Sequence, residues 1–375
     1  MVAVNLQQRK IKVIISGGGT GGHIFPAIAI ANELKRANTE NEILFVGAEG
    51  RMEMEKVPAA GYRILGLKIA GIQRKFDLKN FLLPFKVIAS VMKSRSIIRN
   101  FKPDAAVGVG GYASGPLLYA ATMLHIPSLV QEQNSFAGVT NKILSKRAKK
   151  ICVAYDGMEK YFPKDKIVMT GNPVRQDVVQ TGGKKEEGLK YFRLDGNKKT
   201  VLVIGGSLGA RSINQSVLNG LERFDEKNIQ LIWQTGKGFF PTAIAAVKKF
   251  EEKGMHAHEF INRMDLAFSC ADVVISRAGA SSVSELQLVA KPCILVPSPN
   301  VAEDHQTKNA MALVEKQAAL LVKDSEANQL LVDSAIALIN DTEKQMQLSQ
   351  NISRLALRDS AARIVEEIYG IIDGK

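Results

Sequence analysis

A chain of 375 residues with 46% apolar residues, 23% charged residues and a formal net charge of +13 is long enough for two cores and too balanced in composition to be disordered. The charge predicts an anionic partner: nucleic acid, an anionic lipid surface or a phosphorylated substrate. No run of about eighteen apolar residues occurs, because Pro84 and Lys86 interrupt the greasiest stretch, and the three cysteines, Cys152, Cys270 and Cys293, are odd in number and far apart, which excludes a membrane span, a disulfide frame and zinc-type spacing.

The first predicted element is a strand, "KVII", ending in the turn "SGGGTGGHIFP" at Ser16–Pro26. The apolar run behind Arg9 and Lys10 is too short for a secretory signal and no cleavage site follows it, so a cytoplasmic protein is expected. Further Val/Ile-rich runs, "EILFVGA", "DAAVGVGG", "PSLVQEQ" and "KKICVAY", alternate with segments of helical period, the pattern of a parallel sheet wrapped by crossover helices. The series restarts after the Gly- and Lys-rich stretch 172–188 with "TVLVIGG", "QLIWQTG", "ADVVISRAG" and "PCILVPS". Two α/β domains of Rossmann type are therefore expected, residues 1–173 and 174–352, with an amphipathic helix at about 353–375 packing back on the first.

Three glycine-rich turns follow strands: Gly17–Gly22, "GVGGYASGP" at Gly108–Pro116, and "GGSLGAR" at Gly205–Arg211. A strand that ends in glycines and opens a helix points unpaired N–H groups at the loop, where the helix dipole favours an anion. Gly17, Gly19 and Gly22 satisfy the dinucleotide fingerprint, yet the ribose-binding acid it requires is misplaced, since Glu49 falls late in a loop. No Gly-Lys-Ser/Thr follows any turn, so a Walker loop is excluded. A better nucleotide site is "SRAGASSVSE", Ser276–Glu285, where Ser281, Ser282 and Ser284 sit at a helix start and Glu285 can accept both ribose hydroxyls. Its competing reading is a serine N-cap with Glu in a capping box.

In this order "GGGTGGHIFPAIAIA", "GVGGYASGP", "EQNSFAGVTNK", "GNPVR", "GGSLGARSIN", "SRAGASSVSE" and "DHQTKNA" resemble the MurG family of glycosyltransferases, over Ile11 to about Ala319. The resemblance implies a GT-B fold, two Rossmann-like domains whose parallel sheets face an interdomain cleft. It implies inverting transfer of N-acetylglucosamine from UDP-GlcNAc to the C4 hydroxyl of undecaprenyl-pyrophosphoryl-MurNAc-pentapeptide, the lipid I to lipid II step of peptidoglycan synthesis. Carried over, the donor would meet Thr20, Gly21, Gly22, Asn134, Arg175, Ser207, Ile261, Ala280, Ser281, Ser282, Glu285 and Gln306. The acceptor pyrophosphate would meet Gly18, Gly19, Gly110, Gly111, Tyr112 and Ser114. Gln131 departs from the family, which commonly has His there, and His305 replaces a Gln of some members.

No Asp-x-Asp pair is present to hold a divalent cation, so no metal or other cofactor is expected, and helix N-termini, Ser207 and Arg175 would stabilise departing UDP. The candidate general bases are His23, beside the acceptor turn, and Glu132, which otherwise reads as a buried acceptor. A lipid-linked acceptor calls for peripheral attachment at the cytoplasmic face of the cell membrane. Phe76, Phe81, Leu82 and Phe85 with Lys79 and Lys86 supply an apolar patch rimmed by cations for an anionic leaflet. The plainer reading of that stretch is a helix whose Phe81, Phe85, Ile88 and Met92 face a core. Other proteins of wall synthesis are further expected partners, and nucleic acid is not, since no recognised module for it is visible. The alternatives are a related GT-B transferase acting on another lipid, and, more distantly, an NAD(P)-dependent oxidoreductase.

Overall fold

The computed structural model describes residues 9–69, 83–174, 176–206, 209–301 and 304–374, in two units, Met1–Arg175 with Arg358–Lys375, and Gln176–Leu357. In the first unit the order is β1 (Lys12–Gly17), α1 (Gly21–Ala37), β2 (Glu42–Ala48), α2 (Glu53–Ala59), β3 (Arg63–Leu67), α3 (Leu83–Phe101) and β4 (Ala105–Gly110). It continues with α4 (Ser114–Met123), β5 (Ser128–Glu132), α5 (Val139–Ser145), β6 (Lys150–Val153) and β7 (Ile167–Met169). The second unit holds α6 (Gln176–Val179), α7 (Lys185–Phe192), β8 (Lys199–Ile204), α8 (Arg211–Glu226), β9 (Ile229–Gln234), α9 (Phe240–Val247) and β10 (Met255–His258). Then come α10 (Met264–Cys270), β11 (Val273–Ser276), α11 (Ala280–Val289), β12 (Cys293–Leu295), α12 (His305–Val314), β13 (Leu320–Leu321), α13 (Ala327–Asn340) and α14 (Thr342–Arg354). A last helix, α15 (Ser360–Ile372), belongs to the first unit.

Both sheets are parallel throughout, ordered β3-β2-β1-β4-β5-β6-β7 and β10-β9-β8-β11-β12-β13. Helices cover both faces, so the inner strands read as unbroken apolar runs. Along β1, Val13 and Ile15 enter one core layer with Ile24, Phe45 and Ile364, while Ile14 enters the other with Leu44, Val46 and Leu118. In the second sheet Val201 and Val203 point to one layer and Leu202 and Ile204 to the opposite one, the two-residue alternation of a strand. The described C-terminal helix, α15, packs on α1, and its Tyr369 hydroxyl accepts from Asn41 Nδ2 at 2.9 Å.

The direction of winding reverses between β1 and β4 and between β8 and β11. At such reversals, at the carboxyl ends of the strands, open α/β sheets take their ligands. Three of the glycine turns and the Ser276–Glu285 stretch fall at these two switch points.

Candidate functional site

In the first unit the turns after β1 and β4 are sewn together. Gly18 N–H donates to Gly110 O at 3.2 Å, and a side chain on Gly111, at φ +91, would overlap the Gly18 carbonyl. Ser114 is buried, its hydroxyl 2.9 Å from Gly110 O and 3.0 Å from Ser16 O. The hydroxyl thus closes the turn instead of facing outward, while Tyr112 is exposed. His23 lies in the first turn of α1, and its Nδ1–H donates to Gly18 O at 3.0 Å, with Thr20 Oγ1 3.5 Å from the same nitrogen.

One participant escaped the sequence reading. Glu53, at the start of α2, is 1% exposed and accepts Gly19 N–H at 2.9 Å and Ala48 N–H at 3.0 Å. The amides of Gly18 and Gly19, read from sequence as phosphate donors, are therefore already occupied. No local signal marks Glu53 among the neighbouring Glu49 and Glu55, because its partners lie before it on other elements.

Glu132, at the end of β5, is 2% exposed. Its Oε1 accepts Asn134 N–H at 3.1 Å and lies 3.3 Å from Asn134 Nδ2; its Oε2 accepts Gly138 N–H at 3.0 Å and Asn141 Nδ2 at 2.9 Å. With both oxygens so engaged, the carboxylate shapes the turn that presents Asn134. Gln131, Gln133 and Asn172 form a buried amide network beneath it: Gln131 Nε2 donates to Asn172 Oδ1 at 3.1 Å, and Asn172 Nδ2 to Gln133 O at 3.0 Å.

In the second unit α11 begins at Ala280 with Gly279 as its N-cap, and no side chain caps it. The capping-box alternative is thereby corrected, since the helix starts before the serines and Glu285 lies well beyond the capping position. Ser281 Oγ is buried without a hydrogen-bond partner, and Ala280, Ser281 and Ser282 are the first three helical residues. The helix end thus offers orphan N–H groups and a hydroxyl to an anion.

The flanking segments are braced. Gln306 Oε1 accepts Ser298 N–H at 2.8 Å, and Ile261 N–H donates to Gln234 Oε1 at 3.0 Å. A side chain on Gly209, at φ +79, would overlap Thr235 O. Arg277, at the end of β11, gathers Ser212 at the start of α8, the carbonyls of Val296 and Pro297, and Asp324, none of which sequence reasoning singled out. Close by in sequence to Ile261, His258 stacks edge-on against Phe192, and burial holds its imidazole down at about 4.

Arg175, Ser207, Phe76, Lys79, Phe81 and Leu82 lie outside the described residues. Phe85 and Lys86 are exposed on α3. The core reading of α3 is overturned for its described residues: Phe85, Ile88 and Met92 are 71%, 58% and 66% exposed, and the helix buries Ser90, Ser94, Ile97 and Ile98. Among the described residues no cluster of three His, Cys, Asp or Glu side chains is disposed to hold a metal ion, and no helix is long and apolar enough to cross a membrane.

Family models for the glycosyltransferase family 28 N-terminal domain and the glycosyltransferase family 28 C-terminal domain match residues 13–153 and 200–366. A UDP-N-acetylglucosamine–N-acetylmuramyl-(pentapeptide) pyrophosphoryl-undecaprenol N-acetylglucosamine transferase of Parabacteroides distasonis is 57% identical over 367 residues, 98% of this chain and 100% of that one. A protein of the same name from Flavobacterium psychrophilum is 54% identical over 97% of this chain and 98% of its own length. The crystal structure of Acinetobacter baumannii MurG superposes with a TM-score of 0.77 at 25% identity, covering 96% of this chain and 100% of that one.

Proposed function

Because this chain belongs to glycosyltransferase family 28, we infer that it moves N-acetylglucosamine from UDP-GlcNAc to undecaprenyl-pyrophosphoryl-MurNAc-pentapeptide, the step from lipid I to lipid II in peptidoglycan synthesis. Full-length identity of 57% to a transferase of that name supports the substrate pair. Family membership also sets aside the oxidoreductase alternative, and the identity to the named transferase runs over 98% of this chain, its N-terminal half included, which favours the muramyl lipid over another acceptor.

The observation that carries the donor assignment is the uncapped start of α11, with Ser281 Oγ buried and unpartnered. In the reaction we assign, the acceptor's C4 oxygen forms a bond to C1 of the sugar while the bond from C1 to the β-phosphate oxygen breaks with inversion. The electron pair leaves on UDP. His23 Nε2 takes the hydroxyl proton, for Nδ1 carries a hydrogen toward Gly18 O, and the N–H groups at the start of α11, with Ser281 and Ser282, meet the charge growing on the diphosphate. Glu285 holds the ribose, Gln306 the sugar hydroxyls, and backbone at Ile261 the uracil. Thr20, Gly21, Gly22 and Asn134, with Arg175 and Ser207, complete the donor set. Glu132 braces Asn134 and does not act as the base. The acceptor pyrophosphate is assigned to Gly110, Gly111 and Tyr112, because Gly110 O and Glu53 already occupy the amides of Gly18 and Gly19.

Attachment is peripheral, at the cytoplasmic face of the membrane, through the apolar face of α3 bordered by Lys86 and Lys93. Tyr119 and Met123 on α4 and Val139 and Ile143 on α5, all exposed, extend it. The deciding assay is transfer of labelled sugar from UDP-GlcNAc to the muramyl lipid with and without EDTA. Transfer undiminished by chelator is expected. No transfer to this acceptor overturns the function, and loss that magnesium restores overturns the metal-free chemistry.

A further inference from the structure

We propose that Glu53 is a positioning residue for sugar transfer: it locks the first glycine turn so that the Gly18 carbonyl fixes His23 as the Nδ1–H tautomer. The proposal rests on the reading of His23 as the base. A carboxylate is costly to bury unless its oxygens are hydrogen-bonded, and Glu53 uses both on backbone amides, Gly19 N–H at 2.9 Å and Ala48 N–H at 3.0 Å. Two glycines make room for it. A side chain on Gly18 would overlap the carboxylate, and one on Gly47 would come 2.6 Å from Glu53 Cγ.

A buried negative charge beneath a glycine turn opposes phosphate binding at those amides, so the turn has another task. With Gly19 N–H pinned from below and Gly18 N–H held by Gly110 O at 3.2 Å, the peptide between them presents the Gly18 carbonyl to His23 Nδ1 at 3.0 Å. The hydrogen bond at one imidazole nitrogen decides which nitrogen carries the proton, and this one leaves the basic lone pair on Nε2. Gly110 serves the same ring, since a side chain there would come 2.8 Å from Nε2.

The test is nitrogen NMR of labelled imidazoles in the full chain, with the His23 signal identified by its loss in His23→Gln, alongside kinetics of Glu53→Gln and Glu53→Asp. The wild type is expected to show Nδ1–H above the titration of His23. Glu53→Gln is expected to mix the tautomers and to lower kcat about tenfold while KM for UDP-GlcNAc stays within about twofold, and Glu53→Asp to fall between. An Nε2–H tautomer in the wild type overturns the proposal even where a variant fails to fold. So does a Glu53→Gln enzyme with unaltered tautomer, whether kcat holds or only stability falls. Near-normal turnover in His23→Gln would instead remove the base reading, independently of the tautomer.

Discussion

Arg277 concentrates in one side chain what no local reading supplies. Its Nη1 donates to Val296 O at 3.0 Å and to Asp324, and its Nη2 to Ser212 Oγ at 3.1 Å, while Ser212 also donates to Asp324. The planar guanidinium suits this fork and an ammonium does not. The guanidinium therefore ties the start of α8 and the segment leading to Ser298 to the strand from which α11 departs, beside the groups we propose for the donor. Arg277→Ala takes the cation from a mostly buried Asp324 and leaves it Ser212 as a donor, a loss of about 1–3 kcal/mol. UDP affinity should fall about tenfold in Arg277→Lys and further in Arg277→Ala, read by titration calorimetry beside denaturant unfolding; unchanged affinity in both would separate the node from the donor site. The sequence groups Ser281 and Glu285 because they sit in one contiguous block, and the structure places both on α11. Arg277, Asp324 and Glu53 were not legible, because their meaning lies in partners on other elements.

At the scale of elements, the strands buried on both faces announce themselves. β1 and β8 are Val/Ile-rich runs and β4 an Ala/Val/Gly one, each ending in or followed by glycine, and the topology then sets their turns at the switch points. Strands with weaker patterns escaped notice: β3, "RILGL", is only partly buried, and β10, "MHAH", carries histidines. Helical period located α3 but could not say which stripe meets a neighbour. The small Ser90 and Ser94 let α4 approach, and the larger Phe85, Ile88 and Met92 stay in solvent. Such an outward stripe beside Lys86 and Lys93 predicts binding to anionic vesicles that salt weakens. Phe85→Ser with Ile88→Ser should reduce partitioning at least about tenfold, and Lys86→Ala about fivefold, with thermal stability unchanged because these groups are exposed. Equal binding to neutral vesicles, or none to either, would reject the surface.

Over the whole molecule, the chain enters the second unit once and then returns, so that its final helix completes the first. Ile364, Val365, Ile368, Tyr369 and Ile371 of α15 lie in the same core layer as Ile15, Ile24 and Phe45 of the first unit, and none joins the core of the second. Amphipathic period showed from sequence that this helix has one apolar face; the layer receiving it depends on contacts more than 300 residues distant, such as Asn41 with Tyr369, which no local pattern encodes. Stability should accordingly divide between two transitions, as in other multidomain chains. Ile368→Ala empties a fully buried site and should cost about 2–5 kcal/mol, all of it in the first unit. Calorimetry would then show one transition moved down and the other in place, and UDP, which we propose the second unit binds, should raise only the unmoved one. Both transitions falling together would mean that the units unfold as one cooperative body, and that α15 supports the donor groups as well as the fold it closes.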